Sequence, residues 1–143
     1  MDLNKFFSFF SPTSEDGDFH GSLESFKESP IYKIKIFERL IINGLIFKKS
    51  IVNFFSKADE DLDVSQIDLA GEFMMYNRAW FWISQLDWDD EQWVYDLKIA
   101  SSESLLTAVK LSIHYFEECE EYEKCAVLKR IQNFIENCLA VGR

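Results

Sequence analysis

Turn material is scarce in this chain. Only five glycines and two prolines punctuate its 143 residues, too few to close the many short hairpins of an all-β fold. The length corresponds to about one domain. With 48% of residues apolar, a sizeable core can be buried. The expected fold is therefore all-α: a single-domain bundle of four to six helices ending in an αα-hairpin.

Reading along the chain, residues 1–30 form an N-terminal arm. Within it a short Phe-rich helix over 2–10 (Phe6, Phe7, Phe9, Phe10) precedes a polar, turn-rich loop. Pro30 suits the first turn of a helix. From 31 to 57, Ile34, Phe37, Ile41 and Leu45 step at helical spacing, as do Ile51, Phe54 and Phe55. The opening IYKIKIF also alternates like a strand, and Gly44 suggests a break between two helices. Helix is the reading adopted.

An acidic connector follows over 58–64, then Ser65-Gln-Ile-Asp68, a capping-box pattern. The next helix is apolar nearly all round (FMMYNRAWFWI), which predicts a central position. Its expected inward face runs through Ile67, Ala70, Phe73, Met74, Asn77, Trp80, Phe81 and Ser84. Asp87 or Asp89 can cap a helix over Glu91–Ile99, and Ser101 or Ser102 another from Glu103. On the latter, Leu106, Val109, Ile113 and Phe116 form a stripe. The last helix, about 121–139, carries Cys125, Leu128, Ile131 and Ile135. These two make the C-terminal hairpin, 102–140, of a helical domain spanning 31–143.

Charge narrows the partners. The net charge is −10, but residues 31–57 carry six bases and one acid, whereas 58–143 carry 18 acids and seven bases. An excess of carboxylates repels a phosphate backbone, so direct nucleic-acid binding is not expected. A protein with a basic surface is the expected partner, and a homodimer is admitted. No basic n-region opens the sequence and no apolar run is long enough to cross a bilayer, so no membrane role is expected. Three cysteines without framework spacing fit a reduced, cytoplasmic protein.

Catalytic and metal chemistry find little to use. Cys125 and Cys138 lie 13 residues apart on one expected helix, about 20 Å, so they cannot share one ion. His114 and Cys119 point about 140° apart. No CxxC, GxSxG, HExxH or phosphate-loop pattern is present. The expectation is no enzyme, no catalytic residue, no metal and no cofactor.

The candidate binding residues are aromatic and acidic. Trp88 sits among Asp87, Asp89, Asp90 and Glu91, a setting in which a partner's Arg or Lys could stack on the indole. Trp93 follows closely, and Trp and Tyr are enriched among binding hot spots. Glu117, Glu118, Glu120 and Glu121 crowd the hairpin turn. The alternative for Trp88 is packing back on the bundle, and for the glutamates a solvated turn. Trp80 and Trp82, about 200° apart on a helix, must face different layers.

Within residues 115–131, the stretch from Glu121 to Ile131 resembles the second helix of the UVR motif, a short helical hairpin of nucleotide-excision-repair proteins and protease-regulating adaptors. Tyr122, Glu123, Lys124, Cys125, Ala126, Leu128 and Lys129 match the pattern. Arg130 stands where the motif has an acid, and Ile131 comes one residue early. The resemblance implies protein–protein contact by pairing with another hairpin, without chemistry.

Taken together, the sequence predicts a non-catalytic, acidic protein-binding module: an adaptor or an inhibitor that occupies a partner's surface, such as a phage or mobile-element inhibitor of a host or defence enzyme. A nucleic-acid mimic that blocks a basic groove and a structural subunit of a larger assembly are the alternatives.

Overall fold

The computed structural model describes residues 26–58 and 65–142, and the architecture among them is all-α. Five helices follow one another: α1 (Pro30–Ala58), α2 (Ser65–Ile83), α3 (Glu91–Ala100), α4 (Glu103–Glu118) and α5 (Tyr122–Val141). The expected 2–10 helix and most of the 58–64 connector lie outside the described residues.

Helix α1 begins at Pro30, whose missing N–H costs nothing at a helix start. The next donor, Ile31 N–H, is taken by the Asp96 carboxylate of α3 at 3.0 Å. Asp96 thus does for α1 what an N-cap side chain normally does locally. The helix then runs straight through Gly44, so the expected break is absent. A Cβ at Gly44 would collide with the Met75 side chain of α2. The glycine marks a close helix approach, not an interruption. The alternation in IYKIKIF is overridden by helix packing: Ile34, Phe37 and Ile41 all turn into the core.

The hub of the bundle is α1, which packs against α2, α3 and α4, while α4 pairs with α5. The core gathers Ile34 and Phe37 from α1, Ile83 from α2, Leu97 from α3, Phe116 from α4 and Ile131 from α5, all nearly inaccessible. Each such side chain contributes about 1.5–3 kcal/mol by leaving water. The α4 stripe of Leu106, Val109, Ile113 and Phe116 is buried as expected, and so is the α5 stripe of Cys125, Leu128, Ile131 and Ile135.

Two caps settle local boundaries. Asp90, not Asp87 or Asp89, caps α3, its side chain accepting from Gln92 N–H at 3.0 Å. Asp87 is used one step earlier, accepting from Asp89 N–H within a tight turn. Ser102 caps α4 by accepting from Leu105 N–H at 3.1 Å. The α4–α5 turn closes through Glu121 N–H to Phe116 C=O and Glu120 N–H to Glu117 C=O, with Glu120 left-handed at φ 59°. That is the Schellman arrangement.

The expected central place of α2 is not observed. Its buried residues are Tyr76, Ala79 and Ile83, all in the C-terminal half. In α1 the last buried residue is Ile41. Beyond these points the two helices continue together as an arm without a buried residue, about 25 Å long on the α1 side. Lys48 clasps it, bonding to both Asp68 and Glu72 of α2. Burial alone would lower the Lys48 pKa, but its bonds to Glu72 and Asp68 raise it above the ordinary lysine value. Among the described residues, no helix is long and apolar enough to cross a membrane.

Candidate functional site

The acidic and aromatic candidates fall in two separate places. Trp88 packs edge-on against Phe134 of α5 at 5.5 Å between ring centroids. The Arg130 guanidinium lies over the indole, 4.4 Å from its centroid. The cation expected from a partner is thus supplied by the chain itself. Trp93 is 7% exposed, set in the core with Lys33 over its ring. Around them Asp87, Asp89, Asp90 and Glu91 are exposed, although Asp87 and Asp90 each hold a backbone N–H. A groove open to solvent runs beside Trp88, between Glu91, Tyr95 and Lys98.

Glu117, Glu118, Glu120 and Glu121 are all exposed at the α4–α5 turn. Glu118 meets His114 and Glu121 meets Lys124. Trp88 touches α5 at Arg130 and Phe134, so the turn lies about 12 Å or more away along that helix. The two groups do not form one patch. The two tryptophans of α2 do divide as expected: Trp80 meets Phe116 of α4 and Trp82 meets Tyr32 of α1.

The buried polar groups bind elements together. Asp96 accepts from Ile31 N–H and also from the Gln92 amide at 2.7 Å. Glu38 accepts from Lys35 and from the Ser102 hydroxyl, linking α1 to the α4 cap. The Ser112 hydroxyl returns to Ala108 C=O. Burial raises the Cys125 thiol above its ordinary pKa, and Glu117 adds to this, which suppresses thiolate chemistry. Burial, helped by a hydrogen bond with Cys119, pushes Tyr115 up to about 12. Among the described residues, no three His, Cys, Asp or Glu side chains converge as ion ligands would.

The most distinctive surface is apolar and lies on α2. Of the stripe expected to face inward, Ile67, Ala70, Phe73, Met74, Phe81 and Ser84 are turned to solvent, Asn77 is half-buried, and Trp80 packs against the core. Phe73, Met74 and Phe81 are 61, 70 and 51% exposed. The opposite stripe of Tyr76, Ala79 and Ile83 wins the core because aromatic stacking fixes it. Tyr76 stacks on Tyr115 at 4.3 Å and meets Phe116 edge-on. A helix apolar all round has two possible inward faces, and its partners choose between them. Leu69, 64% exposed, extends the surface and was not singled out from the sequence. The usable signal was charge: Asp68 and Glu72 lie on the Lys48 side, which marks the face toward α1.

No family model, no curated protein and no solved structure matches this chain.

Proposed function

We propose that this protein is a non-catalytic binding module, an adaptor or inhibitor that works by occupying a protein surface, and that the outer face of α2 is its docking surface. One observation carries the reading: large apolar side chains line the whole length of α2 on the side away from the core. Exposed apolar surface of this extent marks interaction sites in soluble proteins. The acidic α3–α5 side then acts at long range, steering a basic partner and raising the association rate without supplying the anchor. The α4–α5 hairpin, in the segment that resembles the UVR motif, offers a second contact through the exposed Tyr122 and Val127.

Mimicry of nucleic acid is the weaker alternative, because Asp87 and Asp90 are committed to backbone caps. The test is affinity capture with the wild type and with a Phe73→Asp/Met74→Asp double variant, washed at low and high salt. Docking by α2 predicts a protein retained at high salt by the wild type and lost by the variant. Equal capture by both overturns the reading. Release of all proteins by salt alone favours mimicry.

A further inference from the structure

We infer that the outer face of α2 docks on the same face of a second copy, giving an antiparallel α2–α2 pair. The inference rests on the reading of this face as a docking surface and names its occupant.

Spacing comes first. Ile67, Ala70, Met74, Asn77, Phe81 and Ser84 follow one another at steps of three and four. That is the a/d spacing of a helix that pairs with another helix, and Leu69 and Phe73 are exposed beside it. The seam is centred on Met74. A two-fold axis there sets Met74 against its own counterpart, Ile67 against Phe81 of the second copy and Ala70 against its Arg78, the small side chain leaving room for the long one. Such a self-complementary register is what an isologous contact requires.

Charge comes next. A protein of net charge −10 repels its own copies, so self-association needs a face without carboxylates. The α2 seam is such a face. Both α2 acids are turned to Lys48 of α1. Two cations flank the seam: Arg78 lies over Phe81 and Trp82, and Lys124 of α5 reaches the Asn77 amide oxygen at 3.3 Å.

Area agrees. Ile67, Leu69, Phe73, Met74 and Phe81 are 38, 64, 61, 70 and 51% exposed. At roughly 150–200 Å² per large side chain they leave about 430–570 Å² of apolar surface open. With the flanking Gln66, Asn77 and Arg78, the face approaches the ~800 Å² that each partner brings to a standard interface. Pairing would also turn the two-helix arm into half of a four-helix layer, the smallest arrangement that gives such an arm an interior.

The experiment is analytical ultracentrifugation of the full chain over a wide range of micromolar concentrations. Wild type, Met74→Asp and an Ile99→Glu control on α3 are compared, with circular dichroism confirming that each is folded. The wild type and the control should rise from 16.9 kDa toward twice that mass, while Met74→Asp stays at 16.9 kDa. A wild type that remains at 16.9 kDa, or a Met74→Asp protein that still doubles, overturns the second copy. The capture comparison above then separates the two ideas. A monomer whose captured protein is still lost on substitution of α2 keeps the docking surface with a different occupant, and capture unaffected by α2 removes both. In a monomer, a Met74→Cys thiol that resists labelling would show that another segment of the same chain covers the face, which also overturns the inference.

Discussion

Glu120 occupies a backbone position that a glycine would fill at lower cost. It is the only residue other than glycine with positive φ among the described residues, at 59°, and it is the left-handed residue of the Schellman turn between α4 and α5. A side chain bearing Cβ costs about 1–2 kcal/mol in that region. Glycine removes this strain but gives back roughly 0.5–1 kcal/mol through the greater freedom of the unfolded chain. Glu120 also stands among Glu117, Glu118, Glu121 and Glu123, and relieving like charge adds a few tenths of a kcal/mol at an exposed site. Glu120→Gly should therefore stabilise the protein by about 0.5–1 kcal/mol. For a domain of this size that is a Tm rise of roughly 1–4 °C. The assay is thermal and urea unfolding followed by circular dichroism, with Glu120→Ala as the comparison. Alanine removes the same charge and keeps the Cβ. Equal stabilisation by alanine and glycine would show that charge alone is responsible. A loss of stability with glycine would refute the strain argument outright.

Four further outcomes follow from the geometry. Asp96→Ala should destabilise by about 2–3 kcal/mol, since Ile31 N–H loses a charged acceptor, and Asp96→Asn by about half as much in the same unfolding assay. Gly71→Ala should stabilise by up to ~1 kcal/mol, because a Cβ there meets open space. Gly44→Ala should gain less than Gly71→Ala because its Cβ must displace the Met75 side chain, and Met75→Ala in the same chain should restore the difference, a non-additivity read from a double-mutant cycle. Stability should fall as pH rises from 10 toward 12, because the unfolded chain then ionises a tyrosine that folded Tyr115 keeps protonated; below pH 10 this group contributes no slope, and Tyr115→Phe should flatten the difference.

How far the fold was legible follows from what each segment's pattern left undecided. The α4 and α5 stripes were readable because each helix has one apolar face and a polar remainder, so period and burial point the same way. Ser101 and Ser102 were both readable as caps for α4, and the Leu105 N–H bond selects Ser102. Asp87, Asp89 and Asp90 were not separable, since any of three neighbouring aspartates can cap and the tight turn decides among them. Gly44 was misread because sequence shows an absent side chain but not the Met75 that fills its place. In α2, two stripes of comparable apolar content compete, and the choice is made by Tyr115 and Phe116, about forty residues away in sequence. Trp88 looked like a free hot spot because Arg130, its cation, is remote in sequence and near only after α5 has packed. Asp96 gave no signal at all: a capping carboxylate 65 residues from its donor has no local pattern.

The central claim is that α2 turns Phe73, Met74 and Phe81 to solvent and Tyr76 to the core. Hydroxyl-radical footprinting with peptide mass spectrometry tests it most directly, since these side chains are reactive and lie within one short segment. At low protein concentration Met74, Phe73 and Phe81 should oxidise much faster than Tyr76, and their rates should drop as concentration rises and the seam is covered. Rapid oxidation of Tyr76, with Met74 and Phe73 protected at every concentration, would mean that α2 packs by its other face, and the docking surface would not exist.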